Sequence, residues 1–521
     1  MLSRWLRLRR PLREVVVETY LTADPRSLGL GRIALASVLL IDLFRRLPLL
    51  RDFYSNEGLL PNHTVLWRPM WPKMFSVFFG ASQVGEAGVL MLIAAACYVA
   101  LLVGWRTRLF HVLSFAMATS LHNRVIFVEN GAVGALGALM LWTAFLPLGR
   151  CFSIDAWLAR RRVSPSGAVP LDAEARPVVS LAVLALLLQL VVIYAFNCVH
   201  KSGETWRDGS AVHYVLFQAR IVTSFGVWFR EHVPFSATEA LTRGTLIVEG
   251  AAPLLLLSPV GTRWLRPVAF AALAALHLGI ASVVNLGIFS VAMLAYYPFL
   301  LGRAPWDWFA RRARGSAAER SAPTPSAEAR PLLSVLRELG VAFALVVLAA
   351  DVTVANAAVP RALRWENRPG WMVDLVLYPH LFQGWGMFAP DAPREDSMVY
   401  VDAVTVDGRH VDPLNEVASL EASLPLDALP ARLGHSSFWC DYELQIGNNP
   451  NYWQALTEWI QRHPQRTGRP EDGIVAFSLW ELRQDSPPPG QTRPTNVRRR
   501  ELYQWGADGG GVPVAGLTRP D

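Results

Sequence analysis

The chain has 521 residues, of which 52% are hydrophobic and 17% are charged. A soluble domain usually carries about 25% charged residues, so this composition argues against a water-soluble protein and indicates a membrane protein. The formal net charge is +7, but the arginines stand in short clusters between apolar runs. That pattern is typical of membrane topology and argues against a nucleic-acid-binding surface. We therefore expect the lipid bilayer as a partner and no nucleic acid.

Nine apolar segments are candidate membrane helices, because a bilayer core of about 30 Å needs about 20 residues per helix. They lie at residues 28–48, 84–103, 108–123, 131–148, 178–199, 238–258, 263–283, 285–301 and 332–355. The third is the weakest candidate because it contains four polar residues, His111, Ser114, Ser120 and His122. The predicted fold class is mainly α: a polytopic membrane helix bundle of about nine spans, with a small C-terminal α+β domain on the outer face.

The arginine clusters predict the side of the membrane that each loop faces. With the N-terminus inside, the inner segments hold the arginines of residues 4–13, 106–108, 160–162, 263–266 and 303–314. Loops on the opposite side are poorer in arginine. Because cytoplasmic loops carry an excess of basic residues, we expect a cytoplasmic N-terminus. Nine crossings then place the end of the fifth span and everything after the ninth outside.

This topology divides the chain into five parts. They are a basic cytoplasmic N-terminal segment (1–27), a transmembrane domain (28–302), a basic, proline-containing cytoplasmic linker (303–331), a last transmembrane helix (332–355) and an outer α+β domain with a mobile tail (356–521). Residues 51–80 are rich in Trp, Phe and Pro and too interrupted to span. We expect them to lie on the outer membrane surface.

Sequence patterns in the outer part predict a small mixed domain. Residues 397–413 alternate apolar and polar side chains around Asp407-Gly408, which is a hairpin signal. Residues 451–463 place their large apolar side chains on one helical face, and residues 473–483 and 498–505 have the character of strands. The four cysteines are scattered without metal-ligand spacing, so no metal is predicted.

Ionisable and amide side chains interrupt the predicted spans or stand at their outer ends. They are Asp42, His122, Glu129, Asn197, His200, Lys201, Glu249, His277 and Asn285. Such groups are costly in a membrane and tend to face a cavity or a partner, so we expect several of them to converge on one outward-opening cavity. Structural alternatives remain open: Lys201 could reach the lipid headgroups, His277 could be a hydrogen-bonded core residue, and Asp42 could pair with a nearby arginine.

Lysine occurs only twice in the chain, at Lys73 and at Lys201, whereas arginine is abundant. Arginine stays charged at any accessible pH, whereas a desolvated lysine can lose its proton and act as a base. Because arginine would anchor a helix end equally well, lysine at position 201 favours a role that needs a neutral amine.

Six motifs follow one another in an order known from one family. They are DFYSNEGLLP (52–61), GWRTR (104–108), SLHNRVIFVENG (120–131), LPLGRCFSID (146–155), HKSGETWRDGSAVHY (200–214) and LHLGIASVVNLGIFS (276–290). Over about residues 20–302 the chain resembles the HTTM superfamily, the bacterial membrane proteins related to vitamin K-dependent gamma-glutamyl carboxylase. The later WGMFAPDAPREDSMVYVDAVTVDG (385–408) is similar to outer segments often attached to such proteins.

The resemblance implies an enzyme of the bacterial inner membrane, a carboxylase and quinol epoxidase of the carbon–carbon lyase type. It implies reduced vitamin K or menaquinol, O2 and CO2 as cofactors, a secreted peptide or protein as substrate, and a periplasmic outer domain. Lys201 falls on the family's basic lysine, so the expected catalytic residues are Lys201, His200 and His277. The expected substrate or cavity residues are His122, Asn123, Arg124, Trp206, Glu249 and Asn285.

Two alternatives come from other functional classes. The chain could be a non-enzymatic membrane scaffold, or a maturation or export partner for a secreted peptide, that keeps the fold without the chemistry. It has Asn130-Gly131-Ala132-Val133 where many family members carry an acidic residue, which is consistent with this reading. It could also be a transporter, although the polar residues are mostly on the outer side.

Overall fold

The structure is a computed structural model that describes residues 11–67, 74–163, 176–314, 331–420, 436–506 and 510–513. The described part is mainly helical and ends in a small C-terminal sheet. Nine of its helices form a bundle: α1 (Pro25–Arg46), α2 (Val84–Val103), α3 (Thr107–Arg124), α4 (Gly131–Ala144), α5 (Leu181–His200), α6 (Phe235–Leu257), α7 (Thr262–Val283), α8 (Phe289–Leu294) and α9 (Pro331–Ala355).

Shorter helices and single turns connect or cover the bundle. Before α5 they are Leu12–Val16, Val17–Leu21, Leu47–Leu49, Leu50–Tyr54, Asn62–Trp67, Val77–Gly80, Ile126–Val128 and Ile154–Val163. After α5 they are Glu204–Arg207, Ala211–Leu216, Ser224–His232, Tyr297–Leu300, Arg303–Arg314, Arg361–Leu363 and Gly370–Leu377.

Six helices in the described part of the chain are long and apolar enough to cross a membrane. They are Pro25–Tyr54, Val84–Val103, Leu181–His200, Phe235–Leu257, Thr262–Val283 and Leu332–Ala355. The structure therefore agrees with a multi-pass membrane protein, but the predicted count of nine spans is not confirmed. Gly131–Ala144 and Phe289–Leu300 are apolar but shorter, and α3, the third predicted span, carries the polar residues that made it the weakest candidate.

Contacts between helix ends identify one end of the bundle. Ser27, at the start of α1, donates to the carbonyl of Leu301 beyond α8 at 2.8 Å. The N–H of Leu181, at the start of α5, donates to Glu338 of α9 at 2.7 Å. This end, which also holds the α2–α3 turn and the helices Ile154–Val163 and Arg303–Arg314, is rich in arginine, and we call it the basic end.

Local sequence signals fix where the helices begin and end. Asp24 caps α1 by accepting the N–H of Arg26 at 2.9 Å, and Pro25 has the backbone angle that suits a first helical position. Helix α2 stops at Gly104, whose φ of +70° favours glycine. A Cβ there would lie 2.4 Å from Cβ of Ser153, so the turn at the basic end also needs glycine for space.

The C-terminal domain packs against the opposite end, which we call the docking end. Strands β3 (Glu395–Thr405), β4 (His410–Val411), β5 (Ile474–Asp485), β6 (Thr495–Gly506) and β7 (Gly510–Pro513) form an antiparallel sheet in the order β4-β3-β5-β6-β7. Helices and turns Ser437–Ile446, Pro450–Tyr452, Trp453–Gln461, His463–Thr467 and Pro470–Asp472 accompany it. A two-residue pairing of β1 (Thr22–Ala23) with β2 (Val178–Val179) lies at the basic end.

The predicted hairpin, helix and two later strands of this domain are all present. Strand β7 was not predicted, because its four residues fall in the tail that was expected to be mobile. In the structure they pair with the end of β6. The segment after α1 makes contacts that the sequence did not predict. Phe53 stacks edge-on against Trp439 at 5.1 Å, and Asp52 accepts from the Trp459 indole at 3.2 Å, so this segment holds the domain.

Buried acidic side chains of the C-terminal domain include Glu443, Asp396 and Asp412. Glu443 accepts a short hydrogen bond from the N–H of Val399, while its second oxygen finds no hydrogen-bond partner among the described residues. Burial raises the pKa of Glu443 to about 8. It also raises the pKa values of Asp396 and Asp412 to about 6.

We expect the free energy of unfolding of this domain to fall as the pH rises from about 4 to about 8. The folded pKa of Glu443, about 8, lies above the usual value of about 4.3, so the native state holds a proton that the unfolded chain releases in this window. Glu443→Gln removes that ionisation and should flatten the dependence. Thermal unfolding followed by tryptophan fluorescence between pH 5 and pH 8.5 measures it, and an equally steep profile in the variant would contradict the assignment.

Candidate functional site

A buried ion pair joins α5 to α6 near the docking end. The ammonium of Lys201, directly after α5, lies 2.7 and 2.6 Å from the two carboxylate oxygens of Glu249 in α6. The side chains are only 5% and 8% exposed. Lys201 therefore does not extend to lipid headgroups, and Glu249, eight residues before the end of α6 at Leu257, has the partner that a carboxylate inside an apolar helix needs.

Trp206 covers this pair. The ammonium of Lys201 lies 4.7 Å from the centre of the Trp206 ring, which is a cation–π distance. The indole N–H donates to the carbonyl of Phe388 at 2.8 Å, so the ring is held from its other side by the segment that enters the C-terminal domain.

Residues 197–206 and 385–391 are joined by a run of hydrogen bonds, which we call the clasp. Its bonds join Asn197 to the Met387 N–H (2.9 Å), His200 to the Trp385 carbonyl (2.7 Å), the Gly203 N–H to the Pro390 carbonyl (2.9 Å) and the Thr205 N–H to Asp391 (2.8 Å). His200 also accepts from the Ala358 N–H at 3.3 Å. His200, the neighbour of Lys201, thus belongs to the clasp and takes no part in the ion pair.

His277 lies in a second polar group within the bundle. Its Nε2 is 2.9 Å from the hydroxyl of Tyr194 in α5, and that hydroxyl is 3.0 Å from the hydroxyl of Tyr297. Its Nδ1 has no hydrogen-bond partner among the described residues. Tyr194 precedes Lys201 by seven residues, or about 10 Å along a helix, so His277 sits about two turns away from the ion pair.

A cavity of about 250 Å³ lies where the bundle meets the C-terminal domain, and we call it the junction cavity. The bundle side and the clasp supply Asn130, Gly131, Ala132, Arg220, Ile221, Asn285, Leu286, Phe289, Met387 and Phe388. The domain supplies Ser437, Cys440, Asp441 and Leu444. Asn285, a predicted cavity residue, also lines an adjoining cavity of about 400 Å³ beside Thr223 and Ser282.

The junction cavity borders both polar groups through one layer of side chains. Phe388, in its wall, accepts the hydrogen bond from Trp206, the residue that covers Lys201. Phe289, also in the wall, stacks edge-on against His277 with ring centres 5.6 Å apart. Neither Lys201 nor His277 lines the cavity itself.

Charged and polar groups line one side of the junction cavity. Asn130 donates to Asp441 at 3.2 Å, and burial raises the pKa of Asp441 to about 7. Cys440 donates to the carbonyl of Arg220 at 2.7 Å. A ligand in the cavity would therefore meet a carboxyl that changes charge near neutral pH and the positive side chain of Arg220.

His122 and Glu129 belong to a separate buried cluster. Arg46 lies 2.8 Å from Asp42, 3.3 Å from Glu129 and 2.8 Å from the hydroxyl of Tyr54, and His122 lies 3.4 Å from Asp42. The i,i+4 pairing of Asp42 with an arginine is confirmed. The expected convergence on one cavity is thus divided: α1 and α3 hold most of this cluster, whereas α5, α6 and α7 hold the ion pair and the group of His277.

Asn123 and Arg124, also expected at the cavity, end α3. The Asn123 amide donates to the carbonyls of Phe75 and Tyr378 at 3.1 and 3.3 Å, which is a structural role. The guanidinium of Arg124 is fully buried, and none of its nitrogens has a hydrogen-bond partner in the described part of the chain. Its guanidinium carbon lies 6.0 Å from the ring of Phe79.

Several site residues were missed by the sequence analysis. Tyr194 carried a signal, because it is a polar side chain in an apolar run and stands two helical turns before Lys201. Tyr297, Arg220 and Asp441 carried none, since their role depends on which elements pack together. No group of three or more His, Cys, Asp or Glu placed to hold a metal ion was found in the ranges that the structure describes.

Comparison of the chain with protein-family models, with curated proteins and with solved structures found no match. The resemblance to the carboxylase-related superfamily therefore stays a prediction from the sequence motifs.

Removing one partner of the Lys201–Glu249 pair should destabilise the bundle. Breaking a buried ion pair typically costs about 3–5 kcal/mol, because a charge is left without compensation, whereas replacing both partners by apolar residues is often close to neutral. We expect Lys201→Met to lower the unfolding temperature of the detergent-solubilised protein and the double variant Lys201→Met with Glu249→Leu to recover most of the loss. Equal loss in both variants would contradict the pairing.

Proposed function

We propose that this chain is a multi-pass membrane enzyme that carries out quinol-dependent, carboxylation-like modification of a peptide at the outer membrane face, with Lys201 as the base. The observation that carries the proposal is the burial of the chain's one described lysine against Glu249, beneath Trp206, next to the junction cavity. The six motifs shared with the carboxylase-related superfamily agree with it.

Glu249 gives the amine a way to become neutral without leaving a net charge in the bundle. If the ammonium passes its proton to the carboxylate, across 2.6–2.7 Å, an amine and a carboxylic acid result and both are uncharged. In an apolar surrounding that exchange is far less costly than releasing a proton from an isolated lysine, because no buried charge is created. The free amine can then accept a proton from a substrate hydroxyl.

We assign the flat, mostly apolar ring of the quinol, with its polar edges, to the junction cavity. Its volume of about 250 Å³ is slightly below the range typical of small-molecule pockets, which is about 300–1,000 Å³. Leu286, Phe289 and Phe388 would contact the ring, and Asn285 would meet its polar edge. Because Trp206 stands between Lys201 and the wall, its ring has to move before the amine can reach a hydroxyl in the cavity.

The quinol would supply the reducing equivalents for O2: quinol, O2, CO2 and a peptide C–H together give the quinone epoxide, water, a new carboxylate and one proton. The chain's residues hold and move protons around this exchange. The hydrogen-bonded series His277, Tyr194 and Tyr297 offers a second proton-transfer group beside Phe289. Supporting an outer location of the site, the arginine-rich segments gather at the opposite, basic end of the bundle.

One observation favours the non-enzymatic scaffold. Both carboxylate oxygens of Glu249 bind the ammonium, and the amine does not line the junction cavity. In that reading the ion pair and the clasp only fix the C-terminal domain on the bundle, so that the domain can hold a secreted peptide.

Lys201→Arg separates the two functions. Arginine keeps the charge and the pairing with Glu249 but does not give up its proton, so the fold should persist while base catalysis falls about 10²- to 10⁴-fold. Epoxide formation from reduced menaquinone by the purified protein, and a gain of about 44 Da on secreted peptides for each CO2 added, are the readouts.

The matched control is Lys73→Arg, the same exchange at the chain's other lysine, which should keep full activity. Full activity of the Lys201→Arg variant would show that Lys201 is not the base. If the unaltered protein gives neither epoxide nor mass gain, and the Lys201→Arg variant is as stable as the unaltered protein, the scaffold function is favoured.

A further inference from the structure

A third cavity lies at the basic end, remote from the ion pair and the clasp. It has a volume of about 500 Å³ and is lined by the turn between α2 and α3 and by the loop that follows α4. Three arginines face it, Arg106, Arg108 and Arg150, together with a single acidic residue, Asp155. We call it the arginine cleft.

The walls of the arginine cleft are fixed by hydrogen bonds. The carboxylate of Asp155 accepts the N–H of Arg106 at 2.8 Å, and both the N–H and the hydroxyl of Thr107 at 2.7 Å. Buried Arg32 joins the end of α2 to the loop after α4 by donating to the carbonyls of Leu101 at 2.6 Å and Phe152 at 2.5 Å. The cleft is therefore preformed, and the carboxylate of Asp155 already accepts hydrogen bonds from Arg106 and Thr107.

Two of the three arginines of the cleft have no acidic partner among the residues that the structure describes. In the described part of the chain, the guanidinium groups of Arg106 and Arg108 take part in no hydrogen bond or ion pair, and Arg106 only lies against Trp105 at 5.5 Å. Guanidinium groups in a preformed cavity match the geometry of phosphate oxygens, which they bind in a bidentate manner.

The rim of the cleft is apolar and exposed. Leu109, which belongs to the lining itself, is 48% exposed. Trp105, which contacts the guanidinium of Arg106, is 43% exposed, and Phe152, two residues after Arg150, is 52% exposed. A free phosphate ion would gain nothing from such a rim, whereas a phospholipid would place its acyl chains there and its headgroup among the arginines. Basic pockets between membrane helices are known to bind anionic headgroups in this way.

We propose that the arginine cleft is a binding site for an anionic phospholipid, with the phosphate held by Arg106, Arg108 and Arg150 and the acyl chains packed over Trp105, Leu109 and Phe152. The site is independent of the proposed chemistry at Lys201. It anchors the basic end of the bundle in a leaflet that contains anionic lipid.

The test uses the full chain, purified in neutral detergent and titrated with phosphatidylglycerol or phosphatidylcholine, with bound lipid counted by native mass spectrometry. We expect selective binding of phosphatidylglycerol. The triple variant Arg106→Gln, Arg108→Gln, Arg150→Gln should bind it about a hundredfold more weakly, because each basic group near an anionic headgroup contributes about fivefold. The corresponding triple exchange to lysine should keep most of the affinity and shows that the fold tolerates substitution.

The matched control is Arg160→Gln, Arg161→Gln, Arg162→Gln, which removes the same charge from the same end but leaves the cleft intact. It should bind phosphatidylglycerol within about threefold of the unaltered protein. An equal loss in this control would overturn the proposal, because binding would then depend on overall charge. Inorganic phosphate that stabilises the protein against heat as strongly as phosphatidylglycerol would also overturn it, in favour of a free-anion site.

Discussion

A charge inside an apolar helix bundle must find its compensation within the protein, and the Lys201–Glu249 pair is where this constraint is most severe. The two side chains are almost fully buried and join neighbouring helices, with both carboxylate oxygens on one ammonium. The position of α5 against α6 is thereby set at the point where α5 ends. The clasp, which holds residues 385–391 at the entry to the C-terminal domain, is built on the residues that flank Lys201.

The clasp makes the C-terminal domain a part of the site. Residues 385–391 are held by the segment that begins at Asn197, and the same residues supply Met387 and Phe388 to the junction cavity. The domain itself adds Ser437, Cys440 and Asp441 to the opposite wall. A cavity assembled from both parts exists only while they are docked. The cavity therefore depends on the clasp, and the clasp begins beside the buried ion pair.

The sequence predicted which residues are unusual better than it predicted their partners. The i,i+4 spacing of Asp42 and Arg46 was sufficient to pair them, because one helix fixes both positions. Lys201 and Glu249 are 48 residues apart, and no local pattern tells which face of α6 meets α5. His200 was expected beside Lys201 in the site, but adjacent residues at a helix end point in different directions. The span count is not confirmed for a related reason, since α4 is shorter than a lipid-exposed span and α3 is more polar, and such helices can be packed inside a bundle.

The contrast between lysine and arginine follows from what each is asked to do in this fold. Arg32 and Arg46 are buried and bridge several acceptors at once, which uses the planar fork of the guanidinium to join elements that are distant in sequence. Lys201 contacts one carboxylate and one aromatic ring, which is a task that an arginine could also perform. A structural role alone therefore does not explain the choice of lysine in a chain that uses it twice. The property that distinguishes lysine from arginine is that its proton can be transferred, and this is the property that the proposed base role would use.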